Sequence, residues 1–356
     1  MSKQNPSAYS RLDRALHKLA FDSRALQLLL ADVERFMYAG QWQDIDVEQP
    51  IFITSLPRAG TTIVLQALSR LCRLATHTYR DMPFILTPVL WDRVSRGFRR
   101  TAKPAERAHG DGLFIDEDSP EAFEEVLWRQ HFPGHYRQTG IDCWQGSIHH
   151  AEFDEAFKAH MQKMILLRGA ETSAGSRYIS KNNANIARIA YLHKLFPRAQ
   201  FVVPVRHPVE QAISLMRQHR NFTRQHSEEI FTRRYMADIG HYEFGELHRP
   251  IRFSGLAELA AGLSPDSLDY WLAYWIAAFR AVSRHPGLCL VGFEDLCAHP
   301  GAGLQSLLDR LGLQADKTPV EQVAQVFKPP VERRSEYEAG PALVEQAMAC
   351  YKELLG

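Results

Sequence analysis

Apolar positions recur at helical spacing near the start of the chain: Leu12, Leu16, Leu19, Leu26, Leu30 and Val33, with arginines and aspartates between them. That pattern predicts helices over residues 8–38, within an N-terminal helical segment of residues 1–45 that packs on the main body of the protein. The period then changes. Pro50–Ser55, Gln200–Val205 and Gly287–Gly292 are short apolar runs, each followed by a helical pattern. Runs of this kind predict strands buried on both faces, and their alternation with helices predicts an α/β fold built on a parallel sheet. Over about residues 80–178 the pattern loosens. Ser119 and Pro120 suit an N-cap and a first helical position. The stretch reads as loops and short helices inserted over the sheet edge, where insertions shape substrate pockets.

Composition narrows the class. The chain has 356 residues, 45% hydrophobic and 23% charged, enough for a large core over residues 46–356 and too ordered in pattern for a disordered or coiled-coil protein. Lys and Arg number 42 against 41 Asp and Glu. With no global basic field, neither nucleic acid nor an anionic membrane is the expected partner, and an anionic ligand must be held by local groups. The cysteines, Cys72, Cys143, Cys289, Cys297 and Cys350, are odd in number, widely spaced and without a CxxC pair. That argues against a disulfide framework and a zinc knuckle and fits a reducing, cytoplasmic setting best. Met1–Arg11 is polar, so no secretory leader is expected, and no apolar run reaches the 18 residues of a membrane span.

Two segments carry candidate chemistry. Ser55-Leu-Pro-Arg-Ala-Gly-Thr-Thr62 lies between a strand and an apolar helix. A strand, a glycine turn and a helix start aim backbone N–H groups at an anion. Gly60 permits close approach, Arg58 offers a charged fork, and Thr61 and Thr62 offer hydroxyls. A Walker A loop needs G-x-x-x-x-G-K-[ST]; Ser55 replaces its first glycine and Thr61 its lysine, which disfavours magnesium-dependent ATP cleavage. In the second segment, Arg206 follows the strand at 200–205, where open α/β sheets bind ligands. Ser214 lies six residues into the helix that Pro208 starts, about 9 Å along it. The pair can grip one phosphate.

These segments resemble the sulfotransferase family. Pro57-Arg-Ala-Gly-Thr-Thr62 resembles its 5′-phosphosulfate loop in the P-R-S-G-T-T form, and Arg206-x-Pro-x₅-Ser214 its 3′-phosphate motif. Phe293-Glu-Asp-Leu296 is similar to the [YF]-E-D-L element after a late core strand, and Lys181-Asn182 to the K-[ST]-P element. The resemblance covers roughly residues 50–80 and 178–313. It implies a P-loop-like parallel sheet flanked by helices, with the insertion binding the acceptor. It also implies the co-substrate 3′-phosphoadenosine 5′-phosphosulfate, with Arg58, Ala59, Gly60, Thr61 and Thr62 on the 5′-phosphosulfate, Arg206 and Ser214 on the 3′-phosphate, and Lys181 beside the transferred group. The expected reaction is sulfuryl transfer to a hydroxyl or amine of a small-molecule, lipid or saccharide acceptor.

The chain departs from the family in four places. Ala59 replaces a serine, and Ile63 stands where cytosolic members carry an adenine-stacking tryptophan. Asn183 takes the place of a catalytic histidine. The C-terminal R-K-G signature is absent, with Arg333 and Arg334 as candidate substitutes. A proton acceptor must therefore be sought elsewhere. Asp81, or His77 beside it, follows the P-loop helix where relatives keep a glutamate, and His109, oriented by Asp111, is the other candidate. Glu121, Glu124 and Glu125 read as helix-start charge. Tyr270, Trp271, Tyr274 and Trp275 read as core. No metal is expected; His149-His150 with Glu152 and Asp154 is the nearest candidate and reads as a solvated loop. Two other functions stay open: a nucleotide-binding relative that has lost catalysis, and a kinase-like P-loop enzyme.

Overall fold

Ile51, Phe52 and Ile53 are fully buried, and they divide between two cores. That alternation is the period of a strand with a covered surface on each side. In the computed structural model of the chain, which describes residues 11–97, 105–106, 114–115, 119–169, 176–329 and 337–356, these residues form β1 (Ile51–Ile53). The other strands of its sheet are β2 (Leu74–Ala75), β3 (Arg177–Lys181), β4 (Gln200–Val205) and β5 (Cys289–Gly292), in the order β2-β3-β1-β4-β5. Every pairing is parallel, with Ile53 opposite both Lys181 and Val202, and Val205 opposite Gly292.

One face packs Ile51 and Ile53 on the helices Thr61–Leu71 and Pro300–Leu311 through Val64, Leu68, Leu304 and Leu308. The other packs Phe52 against Phe157, Phe196 and Phe201, under the helices Ala151–Arg168, Pro208–Glu228 and Leu268–Val282. The chain leaves β1 toward β2 on one side, then crosses from β3 to β4 on the other. The helices that follow β1 and β4 thus cover opposite faces, and a crevice opens between the carboxyl ends of these two strands.

The helices near the N-terminus are Arg11–Phe21 and Arg24–Tyr38, separated where the Ser23 hydroxyl caps Leu26 N–H. They reach the rest of the chain through polar contacts: His17 with Asp238 at 2.9 Å, and buried Glu34 with Lys163 at 2.7 Å. Among the described residues no helix is long and apolar enough to cross a membrane. The five cysteines are free thiols.

The region 80–178 differs from its sequence reading. It holds an 18-residue helix, Ala151–Arg168, rather than only short ones. The helix expected at Ser119 begins at Glu125 instead. Pro120 forms a bridge with Thr78, and Glu121 N–H bonds His77 O at 3.1 Å, so residues 119–121 are drawn into extended pairing.

Candidate active site

The turn after β1 is fixed by its neighbours. Ser55 Oγ donates to Pro204 O at 2.7 Å, tying the turn to β4. Gln211 Nε2 donates to Leu56 O at 3.1 Å and to Pro57 O at 2.9 Å, while Trp275 Nε1 donates to Gln211 Oε1 at 2.9 Å. Arg58 has φ 70 and Gly60 φ 90, both in the left-handed region. At Gly60, which caps the helix Thr61–Leu71, a Cβ would lie 2.4 Å from the Phe293 ring. Glycine alone meets both demands, and the helix that starts there has the unpaired first N–H groups of any helix N-terminus. Ala59 is buried, Thr61 is buried with its Oγ1 donating to Asn183 Oδ1 at 3.2 Å, and Thr62 is half-buried.

The second motif reaches the same turn. Arg58 Nε donates to Ser214 Oγ at 3.1 Å, and Arg206 Nη1 donates to Arg58 O at 3.0 Å. The Arg206 guanidinium lies 5.5 Å from the centre of the Phe293 ring, and His207 N–H donates to Glu294 at 3.0 Å. Arg58, Gly60, Arg206 and Ser214 thus converge at the crevice, although about 150 residues separate the two motifs. Trp275, read from sequence as core, braces the turn through Gln211, which the sequence reading does not name. The signal that could have found Gln211 was a glutamine within the apolar stripe of Ala212 and Leu215.

Lys181 ends β3, opposite Ile53, and is buried. It opens into a cavity walled by Leu56, Pro57, Ile141, Ile251, Trp271 and Tyr274, with Asn182, Asn183, His241, Glu243 and Arg249 supplying polar groups. Two of the aromatics read as core therefore also form cavity wall, whereas Trp275 is wholly interior.

The predicted proton acceptors do not meet Lys181 there. Asp81 is 3% exposed, is not among the residues lining the cavity, and is ion-paired with Arg168; Thr78 N–H donates to it at 2.9 Å, and the His77 ring stands 3.6 Å away. Burial alone would raise its carboxyl; the His77 ring and the Arg168 charge outweigh that, and its pKa falls below the ordinary range. Its carboxylate is committed to closing a turn over residues 78–81. His77 is likewise enclosed, its Nε2 2.8 Å from that of His160. His109, Asp111, Arg333 and Arg334 lie outside the described residues.

The three glutamates at 121–125 do more than complement a helix dipole. Tyr79 donates to Glu121 at 2.5 Å, and Tyr178 to Glu124 at 2.6 Å. Glu125 takes two hydrogen bonds of 2.7 Å from fully buried Arg188, whose guanidinium lies 4.3 Å from each of the Trp128 and Trp144 rings, and a further bond of 2.9 Å from Asn182. This buried pair anchors the residue next to Lys181. As for metals, His131, His150 and Glu152 place ligand atoms within 4.8 Å of one another among the described residues. His150 Nδ1 already accepts Phe153 N–H as a helix cap, which leaves the ring proton on Nε2, a poor arrangement for a metal ligand.

A P-loop-like turn and an arginine–serine pair thus meet at the switch point of a parallel sheet. The sequence pattern of the Sulfotransferase family matches residues 50–253, more than half of the chain, and the chain belongs to that family. Its fold is similar to that of the sulfotransferase STF9 from Mycobacterium avium, at 14% identity and a TM-score of 0.55, over 98% of this chain and 87% of that one. The sulfotransferase STF1 from Mycobacterium tuberculosis H37Rv matches at 16% identity and a TM-score of 0.49, over 99% and 89% of the two chains. No curated protein sequence matches the chain.

Proposed function

We propose that the chain transfers a sulfuryl group from 3′-phosphoadenosine 5′-phosphosulfate to a hydroxyl or amine of an acceptor held beside Lys181. The observation that supports this reading is the meeting of Arg58, Arg206 and Ser214 in one crevice, because a ligand with phosphates on both the 3′ and 5′ positions of a ribose needs two anion-binding groups close in space. The residues fit such a group. Arg206 Nε is buried without a hydrogen-bond partner among the described residues, and a buried orphan donor is a place prepared for an acceptor. Arg58 and the turn Ala59–Thr62 would hold the 5′-phosphosulfate, Arg206 and Ser214 the 3′-phosphate. When bound, the donor supplies an activated sulfuryl group on a phosphate leaving group. Lys181 would offset charge that grows on that phosphate.

The cavity wall favours an acceptor with an apolar body, an aryl or lipid alcohol, over a saccharide. Calorimetry tests the donor reading. Adenosine 3′,5′-bisphosphate should bind with a chelator present, and 5′-AMP much more weakly. Binding that requires magnesium and ignores the 3′-phosphate would support the kinase-like reading. Tight bisphosphate binding with no transfer to any acceptor would support a catalytically inert relative.

A further inference from the structure

Asn183 cannot take a proton, yet it holds a group that can. Its Oδ1 accepts from Thr61 Oγ1 at 3.2 Å, and its Nδ2 donates to Glu243 Oε1 at 3.3 Å. One amide thus joins the start of the P-loop helix to a carboxylate in the cavity wall. Glu243 is half-buried and shares that wall with Lys181. Its backbone is pinned: His248 Nδ1 donates to Glu243 O at 2.7 Å, and Tyr270 OH donates to His248 Nε2 at 2.8 Å. Burial, joined by nearby His219, lowers the His248 pKa to about 4, so the neutral ring keeps that pattern at working pH. The loop starts at Gly240, φ 82, where a Cβ would lie 2.5 Å from Glu125 Cγ.

We infer that Glu243 is the general base of the transfer, held in place by Asn183. The inference rests on the donor reading above. In the step, the acceptor oxygen bonds to sulfur as the sulfur–oxygen bond to the donor's 5′-phosphate breaks. The hydroxyl proton passes to the Glu243 carboxylate, and the breaking bond's electron pair leaves with adenosine 3′,5′-bisphosphate. Lys181 and Glu243 place a cation and an anion on one cavity, as this charge flow requires. The other charged or titratable groups lining the cavity are Glu125, already neutralised by Arg188, with Arg249, His241, Tyr242 and Tyr274. Of these His241 is the rival base; its Nε2 lies 3.4 Å from Ala122 O.

Glu243→Gln keeps the side-chain size and an oxygen for Asn183. Two measurements test it: calorimetry with adenosine 3′,5′-bisphosphate, and release of that product from the donor in a mixture of primary alcohols and phenols, with water alone as the minimal acceptor. Glu243→Gln should bind the bisphosphate like wild type, turn over about 10²–10⁴-fold more slowly, and lose the fall in rate toward acid pH. His241→Gln should keep that fall. Turnover by Glu243→Gln within a few-fold of wild type, with an unchanged pH profile, overturns the assignment alone. Loss of the acid limb in His241→Gln instead moves the base to His241. Wild type that fails to bind the bisphosphate, or binds it and never releases it from donor, overturns the donor reading and the base together.

Discussion

Arg206 donates its Nη1–H to the backbone carbonyl of Arg58 across 3.0 Å, so two guanidinium groups from distant motifs share one crevice. Burial depresses the Arg206 pKa, Glu294 opposes that shift, and the Arg58 charge adds to it. Two cations held this close are better served by an anion between them than by each other. The third member, Ser214, takes its hydrogen bond from Arg58 Nε at 3.1 Å.

Arg206→Ala and Ser214→Ala should therefore weaken ligands that carry a 3′-phosphate and spare those that lack it. A hydrogen bond to a charged group contributes roughly 1.5–3 kcal/mol, about ten- to a hundredfold in affinity. Calorimetry with adenosine 3′,5′-bisphosphate and 5′-AMP separates the cases. Thermal melts give a second readout, since a ligand at a hundred times its Kd stabilises by about 2.7 kcal/mol. Equal losses for both ligands would place these side chains away from the 3′-phosphate.

Gly60→Ala should damage the turn itself. The new Cβ meets the Phe293 ring at 2.4 Å, and φ 90 is strained for any residue with a side chain. The expected cost is about 1–3 kcal/mol in stability or in bisphosphate binding. Phe293→Leu in the same chain should recover the steric part and leave the strain. Wild-type binding and melting temperature in Gly60→Ala would mean the turn is not fixed as described.

These effects arise from features that differ in how far the sequence exposes them. Pro57–Thr62 is legible because its chemistry is local: one turn, one glycine, one helix start. Arg206 and Ser214 are legible because helix geometry fixes their separation. β3 is not, since Arg177, Ser180 and Lys181 break its apolar run, and only its two neighbours in the sheet make Arg177–Lys181 a central strand. Asp81 lies close along the chain to the P-loop helix, while a turn closes its carboxylate onto Arg168, a partner 87 residues away that nothing local announces. Glu125 looked like a helix-start charge because Arg188, 63 residues later, gives no local sign of being its partner. Glu243 stands 60 residues from Asn183 and is brought to it by the fold alone.

Asp81→Asn should cost stability and spare turnover. It strips the mostly buried Arg168 of its charge partner, a loss of about 3 kcal/mol for a buried pair. The pH dependence has a definite sign. The folded carboxyl has a lowered pKa, so its contribution is complete above the unfolded value of about 3.9 and is lost as pH falls through the lower folded value. Urea titrations at pH 7 should show Asp81→Asn less stable than wild type, with the gap closing below about pH 4. A folded Asp81→Asn that loses a hundredfold or more in turnover would restore Asp81 as the base.

Lys181 separates transition-state from ground-state effects. It ends the interior strand β3 with its side chain buried, and its backbone neighbour Asn182 is anchored both to Ile53 O, at 3.1 Å, and to Glu125. The strand end that carries the lysine is thus fixed, and on the proposed reading its charge would be preorganised toward the leaving group. Charge on the departing phosphate grows only as sulfur leaves, so Lys181→Ala should lower kcat while bisphosphate and donor affinity stay nearly intact. On the proposed donor reading Arg58 would hold the ground-state anion as well, so Arg58→Ala should harm both quantities. Lys181→Met, which keeps the stem but not the charge, should behave like Lys181→Ala if charge is the cause. Recovery of kcat in Lys181→Met would assign the effect to packing. Parallel losses in affinity and kcat for Lys181→Ala would instead make Lys181 a ground-state ligand of the donor, on the same footing as Arg58.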